Sequence, residues 1–383
     1  MASSPIDVDR ATMTRVASSA LGKAVADVAW EITPLRYMAY NPISQGLYRV
    51  DGSARDGDAV RKWSSVLKVC RPPAEEQLAR LPDGDRERVL DTMRWDREAE
   101  AYASRLFADL PDGVVAPRCY GIDRRADGAW LWLEHVIEDE PAWSVARYGL
   151  AARHLGRLNG AKHVASAAPR DGWLSRDWIR KWTAYFARSA GTLLADERIW
   201  STPVVAAHFS AKERDELRAL LPVHERWLSS LDGAPHTLAH LDAFRANMLS
   251  RTGSRSPETV LVDWAFVGYA PLGADPAHLV VASLYYHGDR ADVVALEAAV
   301  VEGFASGLAD VGYAVPREEL ERLYAINALA RMTFVLGPLS AAGDPAREQR
   351  LEAMLGAPYA RIVERLADRT RYLCGVSRRA HLD

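Results

Sequence analysis

The stretch HLDAFRANML, residues 240–249, places a histidine, an aspartate and an asparagine within eight positions. Its apolar end starts the segment NMLS (247–250), which is typical of a short strand, and TVLVDW (259–264) is typical of a second one. The polar residues between them include a glycine and a proline and predict a turn. The sequence therefore predicts an antiparallel hairpin that brings Asn247, at the start of one strand, near Asp263, at the end of the other.

Asp242 precedes this hairpin, so two carboxylates and an amide oxygen are expected at one end of it. Such hard oxygen atoms suit Mg²⁺, which keeps several waters and takes further oxygens from phosphates. Phosphoryl transfer uses one aspartate to orient and deprotonate a hydroxyl, and an asparagine and a second aspartate to hold the metal. A polar turn without chemistry is the other interpretation of HLDAFRANML alone, and the combination with TVLVDW favours a site.

The pattern resembles the aminoglycoside phosphotransferase family of kinase-like enzymes. His240, Asp242 and Asn247 match the family's His-x-Asp-x-x-x-x-Asn catalytic loop, and Asp263, 21 residues after Asp242, matches its metal-binding aspartate. The resemblance implies that Asp242 is catalytic, that His240 braces the loop, and that Asn247 and Asp263 hold the metal. Leu241 stands where the family commonly has glycine.

The segment GADPAHLVVAS (273–283) also departs from the family pattern, G-D-P-x-x-D-L. It keeps Asp275 and Pro276 but lacks the second aspartate. These departures concern the backbone of the expected catalytic loop more than its chemistry.

Lys68 lies in the apolar segment SSVLKVC (64–70), which is typical of a strand. An ammonium group buried there without a partner would be costly. The resemblance implies that Lys68 binds the nucleotide phosphates and that Glu98, in the following helix, orients it. Glu100, two residues further, lies on another helix face and is the weaker candidate. A lysine at a strand edge and a solvated helix glutamate are the alternative interpretations.

Two further segments are expected to bind the nucleotide. Ser44, Gln45 and Gly46, in NPISQGLYRV (41–50), match the position of a loop over the phosphates, although an ordinary hairpin turn is the alternative. The strand segment AWLWLEHV (129–136) leads to the expected hinge between lobes, where backbone groups from Glu134 to Val136 would bind adenine.

The pattern along the chain indicates an α+β fold. The first third contains strand-like segments and one prominent helix, predicted over DTMRWDREAEAYASRLFADL (91–110), after an initial helix over about 10–30. From about residue 145 the chain is mainly helical, beginning with GLAARHLGRLNGAKH (149–163). With the resemblance, this implies a bilobal protein-kinase-like fold: a small nucleotide-binding N-terminal lobe with an antiparallel sheet (1–136) and a larger, mainly helical catalytic lobe (137–383).

Composition narrows the function classes. The 383 residues carry 48 basic and 51 acidic side chains, so no overall charge favours nucleic acid or an anionic membrane. No apolar run approaches a membrane span, and the N-terminus is too polar for a signal peptide. Three separate cysteines fit neither a disulfide framework nor a zinc motif, which favours the cytoplasm. We expect a monomer or a homodimer.

The sequence thus predicts an ATP- and Mg²⁺-dependent phosphotransferase that phosphorylates a hydroxyl of a small molecule, such as an antibiotic, a sugar or an amino alcohol. Only 11 residues, WAFVGYAPLGA (264–274), separate Asp263 from Asp275, and this short linker favours a small acceptor. A kinase acting on serine or threonine of a precursor peptide and a non-catalytic nucleotide-binding pseudokinase are the alternatives. A third alternative is a transition-metal site formed by His236, His240 and Asp242, although no HxH or HExxH motif supports it.

Overall fold

The computed structural model describes residues 6–35, 43–79, 81, 85–161, 172–254, 256–286 and 292–381. The chain divides into two compact units. Unit 1 comprises Met1–Leu110, Val115–Asp139 and Val260–Ala265, and unit 2 comprises Pro111–Val114, Glu140–Thr259 and Phe266–Asp383. The predicted lobe boundary lies at 136/137, and the short segment around Asp263, predicted for the C-terminal lobe, belongs to unit 1.

The strands of the described residues are short in unit 2 and long in unit 1. In chain order they are β1 (Ala26–Pro34), β2 (Ser44–Asp56), β3 (Ala59–Cys70), β4 (Val114–Val115), β5 (Cys119–Arg125), β6 (Gly128–Glu134), β7 (Ser175–Arg176), β8 (His236–Ala239), β9 (Met248–Thr252), β10 (Pro257–Leu261) and β11 (Gly268–Pro271).

Unit 1 is built on a five-stranded sheet in the order β1-β2-β3-β6-β5. Every neighbouring pair in it is antiparallel. Two further three-stranded sheets have the orders β4-β10-β9 and β7-β11-β8, so the predicted strands 247–250 and 259–264 are neighbours as β9 and β10. The antiparallel N-terminal sheet and the helical C-terminal part confirm the predicted α+β fold class.

The two faces of the five-stranded sheet bury different side chains, because successive residues of a strand point to opposite sides. On one face Leu67, Trp130 and Trp132 pack in a cluster with Met13 and Val16 of the N-terminal helix. On the other face Cys70, Ala129, Leu131 and Leu133 pack with Ala99. Lys68, between Leu67 and Val69 of the first cluster, therefore points to the face that carries Ala99.

The helices of the described residues lie mostly in unit 2. In chain order they are α1 (Arg10–Leu21), α2 (Glu75–Leu78), α3 (Asp85–Thr92), α4 (Arg97–Ala103), α5 (Val145–Ala161), α6 (Trp178–Ala195), α7 (Glu197–Ser201), α8 (Pro203–Ala206), α9 (Ala211–Leu220), α10 (His224–Ser230), α11 (Ala274–Tyr286), α12 (Val293–Asp310), α13 (Arg317–Leu329), α14 (Leu336–Leu339), α15 (Pro345–Leu355) and α16 (Tyr359–Ala380). Among the described residues, no helix is both long enough and apolar enough to cross a bilayer.

The single helix predicted over 91–110 is wrong, because the structure has α3 and α4 with a break between them. The guanidinium group of Arg97 is buried and donates to the carbonyls of Asp91 (2.6 Å) and Thr92 (3.1 Å), at the end of α3. It also donates to the carbonyl of Ala265 at 2.8 Å. These contacts satisfy carbonyls that a continuous helix would have used, and periodicity does not reveal them.

The first helix is also shorter than predicted. It ends at Leu21, because Gly22 adopts a left-handed conformation with φ 71° and its N–H caps the last turn. The segment after it forms β1 at the edge of the sheet. The helix predicted over 149–163 is confirmed as α5.

Candidate active site

Lys68 and Glu98 form an ion pair inside unit 1. Lys68 Nζ lies 2.5 Å from Glu98 Oε2 and 2.8 Å from Asp263 Oδ1. The side chains of Lys68 and Glu98 are 7% and 1% exposed, whereas that of Asp263 is 34% exposed. The structure thus contains the ion pair that the family resemblance implies and adds Asp263 as a second carboxylate. Glu100 instead pairs with Arg124 at 2.9 Å.

The environment keeps Lys68 charged. Burial acts to lower the pKa of the Lys68 ammonium, but the charges of Asp263 and Glu98 outweigh it and hold that pKa well above its usual value. One ammonium group therefore faces two carboxylates. The local excess of negative charge suits an additional cation.

The backbone around Asp263 is fixed by contacts within unit 1. Asp263 has φ 60°, a left-handed conformation that is uncommon for residues with a side chain. The N–H of the next residue, Trp264, donates to Glu98 Oε1 at 3.2 Å, and its indole N–H donates to the carbonyl of Leu261 at 2.8 Å. Glu98 thus holds both Lys68 and the backbone beside Asp263.

Asp242 is held in unit 2 through both carboxylate oxygens. Asn247 Nδ2 donates to Asp242 Oδ2 at 2.8 Å and to the Asp242 carbonyl at 3.1 Å. His278 Nε2 lies 3.1 Å from Asp242 Oδ1. The Asp242 side chain remains 23% exposed. Asp242 and Asn247 therefore lie together, as the loop pattern predicts.

The backbone of the loop at residues 240–247 rests on the carboxylate of Asp275, at the start of α11. The N–H of His240 donates to Asp275 Oδ2 at 3.0 Å, and the N–H of Leu241 donates to Asp275 Oδ1 at 2.9 Å. Asn159 of α5 donates to the same carboxylate at 3.2 Å and to the carbonyl of Leu238 at 2.9 Å. Asp275 is fully buried, so these bonds satisfy a carboxylate that would otherwise be costly.

His240 contacts the loop backbone as the sequence analysis expects. Its side chain is fully buried, and its Nδ1 accepts the N–H of Asp242 at 3.3 Å. His236, the other histidine of the transition-metal alternative, has its Nδ1 2.9 Å from the carbonyl of Ala234. Within the described ranges, no three His, Cys, Asp or Glu side chains gather as a metal-binding group.

The oxygens of Asn247 and Asp263 have the chemistry that Mg²⁺ requires. The amide nitrogen of Asn247 is used by Asp242, so its remaining polar side-chain atom is an oxygen. Asp263 contributes a partly exposed carboxylate beside a single ammonium group. Neutral and charged hard oxygens together are typical ligands of this cation.

The other predicted nucleotide-binding residues lie in unit 1. Ser44, Gln45 and Gly46 begin β2. Ser44 lies opposite Cys70 and Gly46 opposite Val69 at the end of β3, with a register shift between them. Residues 41 and 42 of the predicted loop lie outside the described residues. Glu134 ends β6, and its N–H donates to the carbonyl of Arg118 at 2.8 Å. Val136 follows two residues after the strand.

Sequence reasoning missed three residues of this arrangement: His278, Asn159 and Arg97. The contact of His278 with Asp242 spans 36 positions, and no local pattern indicates it. The sequence indicates Asp275 only as part of an incomplete motif, whereas in the structure it anchors the loop backbone. The one available signal is Asn159 itself, a polar residue four positions after Leu155 and therefore on the side of α5 that carries this buried leucine.

Comparisons with known proteins show the family and the fold of the chain. The model of the phosphotransferase enzyme family (APH) matches residues 51–318, more than two thirds of the chain. Among curated proteins, none matches the sequence. The aminoglycoside phosphotransferase of Alicyclobacillus acidocaldarius is 13% identical, with 99% of this chain and 98% of that chain covered and a TM-score of 0.52.

A microcompartment-associated aminopropanol kinase is 16% identical, with 94% of this chain and 98% of that chain covered and a TM-score of 0.50. At these identities the two structures show a shared fold. The family match covers Lys68, Glu98, Asp242, Asn247 and Asp263, and Ser44, Gln45 and Gly46 lie before it. The chain belongs to the phosphotransferase enzyme family.

Proposed function

We propose that this protein transfers the γ-phosphate of ATP to a hydroxyl group of a small molecule, with Mg²⁺ as cofactor. The observation that carries the proposal is the buried ammonium of Lys68 between Glu98 and Asp263. A purely structural ion pair is a poor explanation, because burying charges costs several kcal/mol per ion and is seldom favourable for stability alone. Asp263, as a second carboxylate beside the Lys68 ammonium group, increases the free-energy cost of burying these charges.

A nucleotide and a divalent cation would balance these charges. Lys68 would bind the phosphates, and Glu98 would hold its ammonium group in place. Asn247 and Asp263 would hold Mg²⁺, which neutralises phosphate charge when bound. Backbone groups of Ser44, Gln45 and Gly46 would contact the phosphates, and those from Glu134 to Val136 would contact adenine. Since the N–H of Glu134 is already used by Arg118, Val136 is the better donor.

Asp242 would orient the acceptor hydroxyl and take its proton. The hydroxyl oxygen forms a bond to the γ-phosphorus, and the bond from that phosphorus to the oxygen of ADP breaks. The hydroxyl proton passes to the carboxylate, and the leaving oxygen keeps the electron pair. His240 and Asp275 hold the loop in place, so the carboxylate is oriented before the substrate arrives.

Two observations favour a small acceptor. The linker from Asp263 to Asp275 is short, and β11 and the start of α11 occupy part of it. Structural neighbours with TM-scores of at least 0.5 include proteins named as an aminoglycoside phosphotransferase and an aminopropanol kinase. The three cysteines are free thiols, which is compatible with a reducing compartment, and we place the reaction in the cytoplasm.

Substitution of Asp242 tests this assignment. We expect Asp242→Ala to lower phosphate transfer from γ-labelled ATP by about 10²–10⁴-fold, the usual contribution of general base catalysis. The affinity for Mg-ATP, measured by calorimetry, should change little, because Lys68 and Glu98 are intact. Asp232→Ala, at an exposed aspartate of the same unit, is the control. Equal turnover of Asp242→Ala and the wild type would exclude Asp242 as the base.

A further inference from the structure

His278 is the buried histidine that touches the proposed catalytic carboxylate. It lies in α11 and is 8% exposed. Its Nε2 lies 3.1 Å from Asp242 Oδ1, and its ring packs edge-on against Phe244 with 5.8 Å between ring centroids. Packing and the hydrogen bond together define the orientation of the imidazole.

The hydrogen-bond partners of the ring fix its protonation. A carboxylate oxygen only accepts, so His278 Nε2 must carry the hydrogen. Across the described residues, His278 Nδ1 is buried without a hydrogen-bond partner. A protonated ring would bury a second N–H there with no acceptor, at a cost of about 1–3 kcal/mol. The ring is therefore neutral, with its hydrogen on Nε2.

The surrounding charges agree with a neutral ring. Burial is the main cause that lowers the pKa of His278 well below its usual value, and the positive charges of Arg331 and Arg369 lower it further. The negative charge of Asp275 opposes this shift without reversing it.

We propose that His278 is a positioning residue for phosphoryl transfer: its neutral Nε2–H fixes the rotamer of Asp242 without adding a positive charge next to the base. This inference rests on the proposed function, in which Asp242 accepts the hydroxyl proton. Asn247 Nδ2 holds the other carboxylate oxygen and is also a neutral donor. A cationic donor at either place would stabilise the ionised carboxylate and lower its basicity.

Helix α11 performs this role together with Asp275, one turn earlier. Residues three positions apart lie on the same side of a helix. Asp275 holds the backbone N–H groups of His240 and Leu241, while His278 holds the side chain of Asp242. A single rigid element thus sets both the backbone and the side chain of the catalytic loop.

Three variants separate positioning from packing. His278→Leu keeps the volume and removes the donor, whereas His278→Gln places an amide N–H near the position of Nε2. His224→Leu is the control, since His224 is also buried, with its Nε2 2.9 Å from the carbonyl of Ala330. Turnover of γ-labelled ATP with Mg²⁺ is measured with water and with the best hydroxyl acceptor, and melting temperatures are recorded.

We expect His278→Leu to lower kcat by about 10- to 100-fold, as a misplaced catalytic group does, with the KM for ATP within about 2-fold of the wild type. His278→Gln should recover most of that loss, and His224→Leu should lose stability without losing kcat. A kcat of His278→Leu equal to that of the wild type, or no recovery in His278→Gln, would overturn the inference.

An NMR measurement on the protein labelled with ¹⁵N-histidine tests the hydrogen bond without turnover. We expect the neutral Nε2–H tautomer for His278, and a changed Nε2–H shift in Asp242→Asn. A hydrogen on Nδ1, or a charged ring at neutral pH, would contradict the positioning role of His278 and leave the proposed function intact. A wild-type protein that transfers no phosphate to any acceptor would instead refute the proposed function, and the positioning role with it.

Discussion

Two residues of the candidate site adopt left-handed backbone conformations despite having side chains: Leu241, with φ 68°, and Asp263, with φ 60°. Such a conformation costs about 1–2 kcal/mol for an L-residue other than glycine. Each position is held by hydrogen bonds, from Leu241 N–H to Asp275 and from the N–H after Asp263 to Glu98. Strain of this kind often accompanies functional sites, where the backbone must present a side chain in one orientation.

The strain at Leu241 can be measured with two substitutions. The Leu241 side chain is fully buried in a cluster with Trp178 and Phe266, so Leu241→Ala should destabilise the protein by about 2–5 kcal/mol. Leu241→Gly loses the same contacts but relieves the left-handed conformation. We expect the glycine variant to be more stable than the alanine variant by about 1 kcal/mol, measured by denaturant unfolding. The opposite order would show that residue 241 carries no such strain in solution.

The residues of the site differ in how far sequence reveals them. Lys68 is visible because a single charge interrupts an apolar strand, and an unpaired buried charge is unfavourable. Its pairing with Glu98 was predictable only from the family resemblance, since the two lie 30 positions apart. Its contact with Asp263 spans 195 positions and was not predicted at all.

At the scale of elements, α5 and α12 pack at unusually close range. A Cβ atom on Gly307 would overlap the carbonyl oxygen of Arg153, and one on Gly303 would overlap that of Gly149. Backbone therefore meets backbone at this interface. Because α5 carries Asn159, which holds Asp275 and the strand before His240, the interface supports the loop of the candidate site.

This close packing predicts the effect of Gly307→Ala. Alanine favours a helix over glycine by about 1 kcal/mol, but the overlap with Arg153 should outweigh that gain and destabilise the protein by about 1–3 kcal/mol. Gly191→Ala, in α6, is the matched control, since it is exposed and has only a side-chain atom at 4.0 Å. We expect the control to be neutral or stabilising in thermal unfolding. Equal stability of Gly307→Ala and the wild type would mean that the helices separate at little cost.

The same helix pair is joined by Asp310, which ends α12. Arg153 of α5 donates to both of its oxygens at 2.7 Å, and Arg157 donates at 2.6 Å. The hydrogen bond from Arg153 is the main cause that lowers the pKa of Asp310 to about 2. Both side chains of the Arg153 pair are partly exposed, so solvent screening limits the stabilisation to about 1 kcal/mol.

The lowered pKa of Asp310 predicts a pH dependence. In the unfolded chain the carboxyl titrates near its usual pKa of about 4, so the stabilisation is complete above that pH. It is lost as the pH falls through the folded-state value of about 2. Asp310→Asn should therefore lower the melting temperature at pH 7, and the difference from the wild type should disappear at low pH. Asp215→Asn, which breaks one longer ion pair of 3.6 Å, is the control. A difference for Asp310→Asn that is as large at pH 2 as at pH 7 would contradict the prediction.

Periodicity identified the elements that depend on a continuous apolar stripe, such as α5. It failed where tertiary contacts decide the end of an element. The break between α3 and α4 follows from the buried guanidinium of Arg97, which takes carbonyls from α3 and from residue 265. The two-residue strands β4 and β7 are too short to show a pattern.

At the scale of the whole molecule, the α+β class was predictable because strand-like and helical patterns separate along the chain. The division into units was harder to predict from the sequence, because residues 260–265 belong to unit 1 although they follow a long stretch of unit 2. This short segment carries Asp263. The segment belongs to unit 1 because it forms hydrogen bonds with Glu98 and Arg97, which lie more than 160 positions earlier.

The most direct test of the central claim is a transfer assay with γ-labelled ATP against a panel of hydroxyl acceptors. The panel contains aminoglycosides, other hydroxylated antibiotics, sugars, amino alcohols and peptides with serine or threonine, each with Mg²⁺ and with a chelator. We predict labelled product from a small-molecule acceptor, and no product when the metal is removed or Asp242 is replaced. Label on peptides alone, or ATP binding without transfer to any acceptor, would contradict the proposed function.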